Sequence, residues 1–241
     1  MAVNTSNSSD LRQLVADGYN VLAQPYLDWS KGPDGGGNGG NDTPVERNFD
    51  QFLSLLSSKR DEVQELQVLE IGCGAGIPWT SRVSKALADT GKLTATDISH
   101  AQIELAKEHL LQSDPPHSNV TLLLRDAAEL QFNPNQLDAV YALFSLIHLP
   151  QHDQKTILKK IATWLKPGGL MFMNFSGELE SGEHAGVWLD GKTTMYWSSL
   201  GLLNYDQALE EVGLSVIVRD VAILVEDGRE IPFVFYTVRK I

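Results

Sequence analysis

The chain has one cysteine, Cys73, in 241 residues, so no intrachain disulfide can brace it and its stability must come from a core. It is also short of positive charge. Nineteen Lys and Arg stand against 31 Asp and Glu, giving a formal net charge of −12, and the basic residues are scattered. A phosphate backbone needs a concentrated basic field, so no nucleic-acid partner is expected. No run approaches the roughly 18 apolar residues of a membrane span, and Met1 to Asp10 has no basic stretch leading into an apolar one. The expectation is a cytoplasmic protein with no membrane partner. His148 and His152 are four apart, but Pro150 lies between them and no third ligand is evident, so no metal is expected.

What is present is an ordinary apolar content of 42% and a length that suits one α/β core. The organising stretch is V-L-E-I-G-C-G-A-G, Val68 to Gly76. Its apolar start fits a strand buried on both faces of a parallel sheet. Gly72, Gly74 and Gly76 then clear β-carbons from a tight turn, so that backbone N–H groups can approach a ligand and a helix can follow.

Residues 1–10 read as a disordered tip. Residues 11–65 read as a helical arm and cap interrupted by a Gly-rich loop at 31–42, K-G-P-D-G-G-G-N-G-G-N-D. In the arm, Leu11, Leu14 and Val15 recur at helical spacing up to Gly18, followed by an aromatic-rich segment from Tyr19 to Trp29. Thr43-Pro44-Val45-Glu46 has the form of a capping box with proline at the first helical position, before a stripe of Phe49, Phe52, Leu53 and Leu56.

From Val68 strands and helices alternate, with strands at Leu93 to Asp97, Val120 to Leu124, Leu137 to Phe144 and Leu170 to Phe175. Ser99 with Gln102 forms a second capping box, and Asp153 is placed to cap the helix carrying Ile157, Leu158, Ile161 and Trp164. Repeated βα units predict a parallel sheet with helices on both faces. Two last β-rich runs meet at Asp227-Gly228 as a hairpin, which turns the final strand antiparallel.

In an open α/β sheet the ligand lies beyond the carboxyl ends of the strands, where strand order reverses. Asp97 ends the second strand, placed either to accept from ribose hydroxyls or to cap the next helix. Asp126 follows the third strand and either meets an adenine amino group or serves as an N-cap. His148 follows the fourth in F-S-L-I-H-L-P, as a general base or as a residue that orients the loop. The insert at 177–203 carries His184, Trp188, Met195, Tyr196 and Trp197 among glycines and serines, as a substrate cover or as a satellite apolar cluster.

These residues together resemble the class I S-adenosylmethionine-dependent methyltransferases of the small-molecule type. The resemblance rests on E-I-G-C-G-A-G at Glu70 to Gly76, T-D-I-S at Thr96 to Ser99, R-D-A-A-E-L at Arg125 to Leu130, L-D-A-V-Y-A-L-F-S at Leu137 to Ser145, and L-K-P-G-G at Leu165 to Gly169. It implies a doubly wound, Rossmann-like sheet of seven strands, mostly parallel with the last antiparallel, under an N-terminal helical lid. Residues 66–241 would be the cofactor-binding domain, and S-adenosylmethionine the cofactor.

By that likeness Glu70, Gly72, Cys73, Gly74 and Gly76 hold its methionine and ribose part. Asp97 takes the ribose hydroxyls and Ile98 one adenine face, with Gln102 in the same set. Asp126 and Ala127 read the adenine edge, Leu143 sits near the sulfonium, and Tyr19 and Tyr26 close over the amino-acid end. The acceptor, a small molecule with appreciable apolar surface and little charge, would lie among Trp29, Phe144, His184, Trp188, Tyr196 and Trp197.

A nicotinamide dehydrogenase fits less well, since Ile77 stands where G-x-G-x-x-G requires its last glycine. A non-catalytic binding protein and a cofactor-retaining enzyme of another reaction remain as alternatives.

Overall fold

The computed structural model describes residues 7–32, 43–60, 65–189, 191 and 193–241. Most of the expected glycine-rich loop, 33–42, and residues 1–6 of the expected tip lie outside them. The first helix, α1, runs Ser8–Ser30, so residues 8–10 are its first turn. It passes through both Gly18 and Pro25, although a proline inside a helix costs about 3 kcal/mol. Packing decides the matter: Leu11, Val15 and Leu22 bury against Met195 and Tyr196 in a small core of their own. At Gly18 a β-carbon would stand 2.3 Å from Met195 Sδ, so the missing side chain is what lets the helix approach.

Helix α2, Pro44–Arg60, starts as its sequence indicates, with the Glu46 amide donating to Thr43 Oγ1 at 3.2 Å. The capping box stays half-formed, because the Glu46 carboxylate instead accepts from Arg82 at 2.5 Å. Its apolar stripe lies on the main core, where Phe52 stacks on Phe172 with ring centroids 5.3 Å apart.

Then follow β1 Leu66–Ile71, α3 Trp79–Leu87, β2 Gly91–Asp97, α4 His100–Ala106, β3 Val120–Leu124, β4 Leu137–Ala142, α5 Gln151–Trp164 and β5 Leu165–Ser176. Two short strands, β6 Gly182–Trp188 and β7 Thr193–Ser199, pair as a separate hairpin. The chain closes with α6 Leu202–Glu211, β8 Leu214–Glu226 and β9 Arg229–Lys240.

The main sheet has seven strands in the order β3-β2-β1-β4-β5-β9-β8. β1 to β5 pair in parallel, and β9 runs antiparallel between β5 and β8, with Asp227 and Gly228 at positive φ in the turn before it. This is the Rossmann-like arrangement that the sequence implied. β4 is buried at every position, as a central parallel strand must be; its Asp138 is tolerated because it accepts from Lys166 Nζ at 2.7 Å and the Gln67 amide at 2.9 Å.

Three local expectations change. β4 stops at Ala142, and the following Phe144 turns to φ +50, its amide donating to Asn174 Oδ1 at 2.6 Å. Asp153 does not cap α5, because its carboxylate is drawn to Arg12 instead. Gln102 leaves the Ser99 capping box half-made: its amide donates to Ser99 Oγ at 3.2 Å, but its side chain bonds nothing.

Candidate cofactor and acceptor sites

Strand order reverses between β1 and β4, and a narrow cavity opens beyond their carboxyl ends, lined by the loop Gly72 to Ala75, Asp97, Ile98, Gln102, Asp126, Ala127 and Leu143. The loop uses its amides differently from the sequence expectation. The Gly72 and Cys73 amides donate to Thr96 O at 2.7 and 2.9 Å, Gly74 N to Asp97 Oδ2 at 2.9 Å, and Gly76 N to Cys73 O at 3.0 Å. Those four donors hold the turn together, so what the glycines give the cavity is close approach. Gly76 does not line it; a β-carbon there would meet Leu110 Cδ1 at 2.7 Å. Glu70 lies buried outside it, and burial, with the charge of Asp97, pushes its carboxyl up to about 7.

Asp97 is buried, which raises its carboxyl to about 6 despite the Ser99 and Gly74 amides that favour the charge. Two backbone donors use part of its capacity, and a carboxylate has roughly four lone-pair sites, so acceptor positions remain for a pair of hydroxyls. Gln102 is buried with both amide atoms unpaired, and it faces the same cavity. Buried amides are nearly always bonded, so this orphan marks room for a polar ligand. A β-carbon on Gly74 would stand 3.8 Å from Gln102 Oε1, a space kept clear between them. The residues therefore fit an adenosyl amino acid.

Asp126 both caps the short helical turn after it, accepting from Ala128 N at 2.8 Å, and receives Arg12 Nε at 2.6 Å. Arg12 also binds Asp153, so one guanidinium clamps α1 to both carboxylates beside the cavity. Asn20 adds a second tie, its Oδ1 accepting from Ser99 Oγ at 2.9 Å and Ala101 N at 3.1 Å. With the arm so placed the cavity holds about 120 Å³, below the roughly 300 Å³ at which ordinary ligand sites begin.

A wider cavity of about 860 Å³ adjoins it, and Tyr19, Tyr26, Phe144 and His148 line both. Trp29, His184, Trp188 and Trp197 wall the second space. Tyr196 does not: its side chain belongs to the small core under α1, and only its carbonyl reaches the site, accepting from His148 Nδ1 at 2.7 Å. That bond fixes the proton on Nδ1, which leaves Nε2 to accept from Tyr19 Oη at 2.9 Å. Burial depresses His148 to about 4, so it is neutral and both nitrogens are engaged.

Sequence reasoning missed Arg12, Asn20 and Glu226. Arg12 carried a signal, since it lies three and seven residues before Val15 and Tyr19, on the stripe that faces the cavity.

Residues 68–169 match the family model described as a methyltransferase domain. The demethylmenaquinone methyltransferase of Staphylococcus aureus strain MRSA252 is 30% identical over 139 residues, 53% of this chain and 55% of that protein. The chain thus spans about half the length of the curated relatives it matches. Among solved structures, the cyclase SpnF superposes with TM-score 0.64 at 18% identity, over 93% of this chain and 94% of that one. The Burkholderia thailandensis 1,6-didemethyltoxoflavin-N1-methyltransferase, solved with its acceptor and S-adenosylhomocysteine, superposes with TM-score 0.65 at 14% identity, over 100% and 93%. Over residues 68–169, from the first strand of the sheet to the start of β5, the chain is thus similar to a methyltransferase domain, and its fold is the one these structures share. No helix among the described residues is long and apolar enough to cross a membrane.

Proposed function

We propose that this protein transfers a methyl group from S-adenosylmethionine to a small molecule held in the wider cavity. The observation that carries the reading is the pair of adjoining cavities with Tyr19, Tyr26, Phe144 and His148 between them, one fitted for the cofactor and one walled by aromatic rings. The cofactor would supply an electrophilic methyl sulfonium, so the protein's work is alignment and exclusion of water. Asp97, Gln102 and Asp126 hold and orient one side, and the Trp188 and Trp197 rings hold the other. Replacing Trp188 by alanine should lower turnover with the identified acceptor and leave S-adenosylhomocysteine affinity at the wild-type value; unchanged turnover would put the acceptor elsewhere.

His148 is proposed as the residue that positions the Tyr19 hydroxyl, in place of the general base anticipated from its sequence position. With its ionisation depressed to about 4 by burial, it keeps one protonation state across neutral pH. The kcat profile should therefore show no limb between about pH 6 and 8 that is lost in His148→Asn. A limb near the ordinary imidazole range, absent from the variant, would restore the base. A cofactor-retaining reaction without methyl transfer is the second reading, suggested by the likeness to a cyclase.

The arm is proposed to open for the cofactor and close on it, since the space beneath it holds only about 120 Å³ as it stands. S-adenosylhomocysteine should raise hydrogen-exchange protection around Tyr19 and Tyr26, while Arg12→Met should lower it about tenfold in the ligand-free protein, about the value of one charge-assisted hydrogen bond. Equal protection in all three samples would make α1 a fixed element.

A further inference from the structure

The wider cavity contains more than apolar walls. Trp188 meets Trp29 at a centroid distance of 5.4 Å and 79°, Trp197 at 5.9 Å and 85°, and Tyr26 at 5.5 Å and 52°. It is stacked on none of them, so its π faces are not spent on a parallel neighbour. The same space is lined by Glu178, Glu180, Glu183, Glu226 and Asp227, against Arg229 as the only Lys or Arg among the described residues that line it. Most of these acids are exposed, but Glu226 is half-buried.

No hydrogen bond or ion pair joins the Glu226 carboxylate to another described residue, while Asp227 beside it accepts from Trp29 Nε1 at 2.9 Å. The charge of Glu226 is felt at Tyr19 and Tyr26, which places it on the aromatic side of the cavity. Burial and then Asp227 push it up to about 7, as befits a carboxylate without a counter-charge. A partly desolvated acid next to ring faces suits one kind of guest: an organic cation is drawn to both, by Coulomb attraction and by the ring quadrupole.

We propose that the wider cavity recognises an organic ammonium group, so that the acceptor carries a protonated or quaternary nitrogen seated against Trp188 with Glu226 as its counter-ion. This deepens the methyltransferase reading and rests on it for the word acceptor. It also revises the uncharged acceptor anticipated from the sequence, which saw the rings of the arm and insert but not the acids brought over them from the β8–β9 turn. The ammonium is a recognition handle, and the atom that is methylated is a separate question.

The test is calorimetry with choline and with 3,3-dimethylbutan-1-ol, which has the same shape with carbon in place of the charged nitrogen. Neither titration needs turnover, and both are run with and without saturating S-adenosylhomocysteine. Choline should bind at least about tenfold more tightly than the alcohol. Glu226→Gln should remove most of that preference and leave the alcohol unaffected; Trp188→Leu should weaken choline, and Trp188→Phe should recover much of the loss. Wild-type S-adenosylhomocysteine affinity in the three variants shows that they are folded. Equal affinities, tighter binding of the alcohol, or no choline binding at about 50 mM by the wild-type protein would overturn the cation site. A wild-type protein that discriminates choline but does not bind S-adenosylhomocysteine would overturn the methyltransferase reading instead.

Discussion

Asp97→Ala is expected to weaken S-adenosylhomocysteine by at least about 100-fold, close to 3 kcal/mol, as read by calorimetry. The side chain does two things at once. It accepts from the amides of Gly74 and Ser99, each at 2.9 Å, and so sets the glycine turn; it also offers its remaining lone pairs to the cavity. Alanine strands two donors and removes the acceptor for the ligand's hydroxyls, so both losses fall on affinity.

The pH dependence has a definite sign. Burial holds the folded carboxyl at about 6, above its usual 3.8, so the group favours the ligand-free fold as pH falls through 6 and disfavours it when ionised. A ligand that donates hydroxyls prefers the ionised form. Affinity should therefore rise with pH, about tenfold from about pH 5 to 7, and then level off. Asp97→Asn should be weak and flat. A wild-type affinity independent of pH over that interval would place the hydroxyl acceptor elsewhere.

Gly72→Ala should cost about 30-fold in the same affinity, roughly 2 kcal/mol. Gly72 sits at φ +79, where a side chain is strained, and its β-carbon would stand 2.3 Å from Ser145 Cβ. Ser145 has little freedom to withdraw, because its hydroxyl donates to Ile71 O at 2.7 Å. The turn must shift, and it shifts against the cofactor cavity. Gly168→Ala is the control: φ is +74 there, but nothing lies within 4 Å of an added β-carbon, so only the backbone strain of about 1 kcal/mol applies and affinity stays as it was. Identical behaviour of the two variants, in affinity and in melting temperature, would remove the turn from the site.

The cofactor side was legible in the sequence because its parts are local. A strand, three glycines and an acid at each of the next two strand ends are short patterns, and the parallel sheet brings them together without further information. The acceptor side was not. Gly182 to Trp188 is largely exposed and Thr193 to Ser199 packs against α1, neither lying on the main sheet, so the insert did not read as a hairpin. Nor did its parity: Trp197 faces the cavity, whereas Tyr196, one residue before it, turns to the small core under α1. Glu226 reaches the site only through the register of the last two strands, and Arg12 through the docking of a helix whose glycine and proline suggest a break. Contacts between elements distant in sequence leave no short pattern.

The most direct test of the central claim is incubation of the protein with S-adenosylmethionine carrying an isotopically labelled methyl group and a small-molecule extract of its source, followed by mass spectrometry. The account predicts a labelled small molecule, absent with heat-treated protein and strongly reduced with Asp97→Ala, formed together with S-adenosylhomocysteine. A protein that binds the cofactor tightly yet leaves every molecule in the extract unlabelled, while converting one of them to an unlabelled product, would contradict it and establish another reaction on the same scaffold.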